Sequence, residues 1–181
     1  MSLDVVIGPM FSGKSSYVLS VISRYSALGV PVLVITHESD VRYGQGLVAT
    51  HDGRNAPCVH AKDLDDVNIA PYTVVIVDEA QFFKNLIPFV EWAVDTHGKH
   101  VYLVGLDGDS SRRKFGEILE CIPLADRVHR LTAFCQRCRD GTLGLFSHRR
   151  GYHDHQVLVG GSNQYETLCR NCYLNQTTSP V

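Results

Sequence analysis

Residues Gly8-Pro9-Met10-Phe11-Ser12-Gly13-Lys14-Ser15 match the G-x-x-x-x-G-K-[ST] spacing of a phosphate-binding loop. Such a loop demands a strand before it and a helix after it, and both are legible. Leu3 to Ile7 is a short apolar run that reads as a strand. From Ser16 to Leu28, the residues Tyr17, Val18, Val21, Ile22, Tyr25 and Leu28 recur at helical spacing. In that setting the backbone N–H groups of the loop and of the helix start face phosphate oxygens. Lys14 reaches the β- and γ-phosphates, and the Ser15 hydroxyl is placed for Mg²⁺. Gly8 and Gly13 allow a turn and a close approach that a Cβ would obstruct. Nucleoside triphosphate binding is the expectation; the alternative is an ordinary glycine-containing turn.

The rest of the first two thirds alternates apolar runs with helical patterns. Val30 to Thr36 reads as a second strand. Glu38 to Asn55 is polar and glycine-containing, a loop in which Asp40, Arg42 and the His51-Asp52 pair are either substrate or phosphate contacts or solvated charges. Ala61 to Val67 is a short acidic helical candidate. Tyr72 to Val77 is a β-branched strand tipped by Asp78-Glu79. Asp78, at the strand end, suits Mg²⁺ or its bound water. Glu79 points to the other side and can take a proton. Phe82 to Thr96 reads as an amphipathic helix, Lys99 to Leu106 as a buried strand, and Glu117 to Leu124 as a short helix interrupted by Pro123. In the polar loop before it, Arg112, Arg113 and Lys114 either meet phosphates or are simply solvated. Val128 to Thr132 closes the sheet. This order predicts an α/β domain over residues 1–133, with a mostly parallel, doubly wound sheet and ligands at the strand C-terminal ends.

The pattern changes at Phe134. Cys135-x-x-Cys138 and Cys169-x-x-Cys172 lie thirty residues apart, and two such knuckles predict a tetrahedral, structural Zn²⁺ site in a small module over residues 134–181. A redox reading needs only one C-x-x-C. Cys58 and Cys121 stand alone and read as buried fillers or inert thiols. His148, His153 and His155 fall between the knuckles, but four cysteines already satisfy zinc. The tether between the knuckles reads as a flap, with Gly160-Gly161 exposing backbone and Tyr165 offering a ring and a hydroxyl.

Composition narrows the function classes. A net charge of −2 over 181 residues, with no long basic run, argues against a chain whose main task is gripping nucleic acid. No apolar run approaches a membrane span and the N-terminus has no secretory pattern, so a cytoplasmic, reducing setting is expected.

Taken together these residues resemble the type II thymidine kinases. The likeness covers nearly the whole chain: GPMFSGKS, Asp78-Glu79-Ala80-Gln81-Phe82-Phe83, Leu106-Asp107-Gly108, both cysteine pairs, and Val159-Gly160-Gly161 followed by Tyr165. The resemblance implies a RecA-like P-loop core with a zinc-held lasso over the nucleoside, transferring phosphate from ATP to the thymidine 5′-hydroxyl. Glu79 would be the general base. Gly8 to Ser15, Asp40, Arg42, Asp78 and Gln81 would serve ATP and Mg²⁺. Met10, Phe82, Leu106, Ser110, Ser147 and Tyr165 would lie near the nucleoside, and the backbone of Gln156, Val157, Leu158, Val159 and Gly160 would bond the thymine edge. A homotetramer and feedback inhibition by dTTP are implied as well. The chain ends nine residues past Cys172, as a compact viral or bacterial member would. One departure stands out: where the family carries Thr-Phe-Gln, this chain has Asp109-Ser110-Ser111, and Ser110 cannot stack on a base. That leaves room for deoxyuridine or deoxycytidine as substrates. The reading from another class is a RecA-like ATPase with a zinc ribbon.

Overall fold

The apolar runs become the strands of one sheet in the computed structural model, which describes residues 1–40, 46–49, 53–151 and 163–177. Strand β1 (Ser2–Ile7) leads through the glycine loop into helix α1 (Lys14–Ser26), and β2 (Val32–His37) follows. A short antiparallel pair, β3 (Leu47–Ala49) and β4 (Asn55–Pro57), precedes β5 (Val59–Ala61) and β6 (Val74–Asp78). Helix α2 (Leu86–Val90), β7 (His100–Gly105) and β8 (Arg127–Arg130) complete the larger part. The sheet order is β5-β2-β6-β7-β1-β8, and each pairing in it is parallel.

The unbroken apolar character of these strands follows from burial on both faces. Alternate residues divide between two cores. Leu3, Val5, Leu33, Ile35, Val75, Val77, Val101 and Leu103 pack on one side with Leu86, Phe89 and Val90 of α2. Val6, Val34, Val74, Ile76, Tyr102 and Val104 pack on the other with Val18 and Val21 of α1. Helices thus cover both faces, as expected of a doubly wound sheet. Parallel pairing also gathers the loops after β1, β6 and β7 at one end.

The helix expected over 82–96 is broken into pieces. A 3-10 turn spans Ala80–Phe82, α2 begins only after Asn85, which adopts a left-handed φ of 59°, and a wider π-type turn runs Glu91–Thr96. Pro88 falls in the first turn of α2, where no N–H is needed. The helical candidate at 61–67 is instead the end of β5 and a single turn, Leu64–Asp66, capped by the Asp63 carboxylate accepting from Asp65 N–H at 3.3 Å.

The C-terminal part is built from short antiparallel pairs: β9 (Ala133–Phe134) with β10 (Leu143–Gly144), and β11 (Phe146–Arg149) with β12 (Tyr165–Leu168), followed by α3 (Arg170–Thr177). Among the described residues its buried apolar cluster is small: Cys135, Leu168, Cys169 and Tyr173, with Cys138, Phe146 and Cys172 packed against it. So small a core needs a cross-link or a metal to stay folded. Among the described residues no helix is long and apolar enough to cross a membrane.

Candidate active site

The glycine loop closes tightly after β1. A Cβ on Gly8 would lie 2.5 Å from the Leu131 carbonyl oxygen, and Leu131 N–H in turn donates to Ile7 O at 2.8 Å. Gly13 has open space around it but a φ of 83°, so conformation rather than room requires glycine there. Phe11 also takes a positive φ, 61°. The Lys14 ammonium folds back over the loop and donates to Gly8 O at 3.0 Å and Pro9 O at 2.7 Å. No acidic residue sits in the first turn of α1, which leaves the positive end of the helix dipole unopposed. Ser12 Oγ is buried and has no hydrogen-bond partner among the described residues. A loop leading into a helix N-terminus, with a cation and an unspent hydroxyl, is chemically suited to phosphate oxygens.

Facing the loop is the acidic end of β6. Register places it there: Ile7 aligns with Gly105 and Val77 with Leu103, so Glu79 stands level with Ile7 across the end of β7. Two strand spacings make that about 10 Å between chain axes. Asp78 and Glu79 are both buried, and Asp78 Oδ1 accepts the Glu79 N–H at 3.0 Å. Glu79 has a left-handed backbone, φ 51° and ψ 39°. A non-glycine residue held there costs on the order of 1–3 kcal/mol and persists only when its surroundings insist on it. Gln81 supplies part of that insistence. Its Nε2 donates to Glu79 Oε2 at 2.6 Å, and its Oε1 accepts Leu106 N–H at 3.0 Å.

Two glycines that sequence reasoning passed over make room for Gln81. A Cβ on Gly105 would sit 2.4 Å from Gln81 Oε1, and one on Gly116 only 2.1 Å from Gln81 O. Their only signal in the sequence is a glycine ending an apolar strand and another following an aromatic residue. Gln81, expected to serve the nucleotide, therefore has its amide committed to orienting Glu79.

The remaining expected site residues are placed as follows. Phe82 packs edge-on against Phe115 with centroids 5.4 Å apart, and lies 5.7 Å from the His37 ring. Leu106 is half-buried at the end of β7, and Tyr165 is buried at the start of β12. The Ser110 carbonyl accepts the Tyr173 hydroxyl at 2.7 Å, and the Arg112 guanidinium stacks 4.5 Å above the Tyr173 ring centre and 5.3 Å above that of Phe146. Of the three basic residues in that loop, Arg112 thus serves the C-terminal module. Ser147, expected near the nucleobase, accepts the Met10 N–H at 3.0 Å. Asp40 follows β2, its N–H donating to His37 O. Arg42, Gln156, Val157, Leu158, Val159, Gly160, the His51-Asp52 pair, His153 and His155 lie outside the described residues.

The four module cysteines converge, with their sulfur atoms all within 4.8 Å of one another. Cys138 Sγ lies 3.8 Å from Cys169 Sγ and 3.5 Å from Cys172 Sγ, and none is in a disulfide. Tetrahedral thiolates at a zinc-like bond length would sit about 3.8 Å apart, so this donor set fits a structural metal. Burial pushes the Cys135 thiol up, but backbone N–H groups of Cys138, Cys169 and Arg137 outweigh it and bring it down to about 6. By contrast burial holds Cys58 and Cys121 up at about 11, which makes them inert.

Beside the knuckle lies an ion cluster on buried Glu166. Arg137 donates from Nη2 and Nε to its two oxygens at 2.5 and 3.2 Å, and His148, its cross-strand partner, donates from Nδ1 at 3.2 Å. Burial lowers the His148 pKa despite the carboxylate, so this is a neutral imidazole bond. For Glu166, burial raises the pKa, yet Arg137 more than reverses it, leaving the carboxyl below its ordinary 4.5. Stability from a lowered carboxyl is present above its ordinary pKa and lost as pH falls through the lowered folded value. Glu166→Gln should therefore destabilise the module by about 1–3 kcal/mol at neutral pH. In urea titrations the gap from wild type should close below pH 4.5; a gap constant with pH would contradict the assignment.

A strand–loop–helix cradle level with a strained, amide-held carboxylate defines a P-loop phosphotransferase with an appended four-cysteine module whose donors fit a metal. Relatives sharpen that class. A family model for thymidine kinase matches residues 1–173. The thymidine kinase of Myxoma virus (strain Uriarra) is 40% identical over 174 residues, covering 94% of this chain and 95% of that protein. That of Vaccinia virus (strain Western Reserve) is 37% identical over 175 residues, covering 96% and 97%. The thymidine kinase of Oryza sativa subsp. japonica is 39% identical over 181 residues, 96% of this chain and 66% of that protein. The chain belongs to the thymidine kinase family.

Proposed function

We propose that the protein transfers the γ-phosphoryl group of ATP to the 5′-hydroxyl of thymidine, yielding thymidine monophosphate for nucleotide salvage. The observation that carries this reading is the Glu79 carboxylate, locked by Gln81 at the level of the phosphate loop. Phosphoryl transfer asks for charge neutralisation, in-line alignment and a base. Gly8 to Ser15 neutralise and align. Glu79 takes the hydroxyl proton as the oxygen attacks phosphorus and the bond to ADP breaks. Mg²⁺, when bound through Ser15 and Asp78, would offset charge on the bridging oxygens. Zn²⁺ on Cys135, Cys138, Cys169 and Cys172 would be structural, since four thiolates leave no open position. Residues 1–133 form the nucleotide domain and 134–181 the lasso domain, whose segment Gln156 to Gly160, with Tyr165, meets the thymine. Asp40 and Arg42 serve the phosphate side. A homotetramer, feedback by dTTP and a cytoplasmic setting complete the reading.

A broader acceptor range is favoured by Ser110, which brings no ring to the base and whose carbonyl is taken by Tyr173. A panel of thymidine, deoxyuridine, deoxycytidine and deoxyguanosine with ATP and Mg²⁺ decides between the two. We expect thymidine to be phosphorylated and one other pyrimidine within about a hundredfold in kcat/KM, the discrimination one missing packing contact supplies. No thymidine monophosphate from folded, metal-loaded protein, together with DNA-stimulated ATP hydrolysis, would replace this reading with a RecA-like ATPase.

A further inference from the structure

Hydrogen bonds around Met10 join the phosphate loop to the cysteine module through an unbroken path. Met10 N–H donates to Ser147 Oγ at 3.0 Å, and the Thr167 hydroxyl donates to Met10 O at 2.7 Å. Ser147 and Thr167 are directly opposite partners across β11 and β12, so both hydroxyls leave the same face of that hairpin. Both residues are buried, Thr167 completely. The Thr167 backbone is itself gripped on both sides by Gln136, the residue after Cys135. Gln136 N–H donates to Thr167 O at 3.0 Å, and Thr167 N–H donates to Gln136 Oε1 at 3.1 Å. Gly144 leaves the room this needs, because a Cβ there would lie 2.8 Å from Thr167 Cγ2. The path therefore runs from the first knuckle through Gln136 and Thr167 to the middle of the phosphate loop.

The loop needs such a restraint. Phe11, the next residue, holds a φ of 61° and Gly13 a φ of 83°. Left-handed backbone in a non-glycine residue relaxes unless its surroundings fix it. The direction of the Met10 peptide sets where the following N–H groups point, and those groups are what phosphate oxygens meet.

We propose that Thr167 and Ser147 are positioning residues of the phosphate loop: they clamp both polar atoms of the Met10 backbone and tie the loop's phosphate-binding shape to the integrity of the four-cysteine module. The inference rests on Gly8 to Ser15 being the ATP phosphate site.

The test uses the full chain, with ADP titrated calorimetrically and KM and kcat measured for ATP. Thr167→Val should raise the ADP Kd and the ATP KM about five- to twentyfold, the effect of one lost buried hydrogen bond. Metal content should be unchanged and kcat altered far less than KM. Thr167→Ser keeps the hydroxyl and should stay near wild type. Ser147→Ala removes a single oxygen and should raise both constants about three- to tenfold; it carries the test where Thr167→Val does not fold. Lys14→Ala checks the underlying reading, since it must weaken ADP binding regardless of the clamp. Normal ADP binding by Lys14→Ala would overturn the phosphate-site reading. Weak binding by Lys14→Ala beside wild-type binding by Ser147→Ala and any folded Thr167→Val would overturn the clamp alone. So would a Thr167→Ser variant as impaired as Thr167→Val.

Discussion

Replacing Glu79 by glutamine should lower kcat by about 10²–10⁴-fold, the span a positioned general base supplies, while changing the ATP Kd by less than about threefold. The substitution keeps shape and removes only the ability to take a proton. Gln81 can still donate to the new amide oxygen, so the strained backbone at φ 51° should persist. Losses should therefore appear in turnover and not in nucleotide binding. Single-turnover phosphorylation of thymidine, with ATP binding measured on the same preparation, separates the two. Near-normal turnover would remove Glu79 from the role, and an equal loss of ATP affinity would make it a structural residue.

Stripping the metal from the cysteine module, or changing Cys138 to serine, should unfold the segment from Phe134 onward and cut turnover by at least about tenfold. Small metal modules are typically folded only when loaded. Here the reason is visible in the core: in the buried apolar cluster of the described residues, Cys135 and Cys169 are themselves donors, and Leu168 and Tyr173, with Phe146 against them, carry its remaining packing. The two-core sheet should be untouched, because Leu3, Val5, Val75 and Leu103 on one face and Val6, Ile76 and Val104 on the other owe nothing to the cysteines. Amide exchange read by mass spectrometry checks this directly. Fast exchange should appear in β11 and β12 of the chelated protein while β1 and β6 stay protected. Retained protection at Thr167 would show that packing alone suffices.

Much of this was legible in the chain. The glycine loop, the strand ending in Asp78-Glu79 and the paired knuckles are local patterns, and local patterns survive folding when tertiary context agrees with them. The β-branched run at 72–77 and the apolar run at 99–106 read as strands, and their lack of alternation agrees with burial on both sides. What stayed hidden is what folding brings together. The helix expected over 82–96 breaks because Asn85 turns left-handed, which no periodicity announces. Gln81 was expected to serve the nucleotide from the family resemblance of its segment; only Gly105 and Gly116, far along the chain, make the room in which its amide meets Glu79. Ser147 and Met10 were both expected near the nucleoside, but the hydrogen bond between them, set by the register of Ser147 with Thr167, has no signal in the sequence. Glu166 and Arg137 meet only once the module closes.

The back-folded Lys14 has a bearing on which nucleotides are retained. Its ammonium is satisfied by Gly8 O and Pro9 O within the loop itself, so an incoming ligand must outcompete two carbonyl groups already in contact. A neutral or singly charged tail offers little over them, whereas a polyanion offers several stronger acceptors at once. Displacing those two carbonyls costs every incoming ligand the same amount, so the loop holds only a ligand whose oxygens bind the ammonium more strongly than its own main chain does.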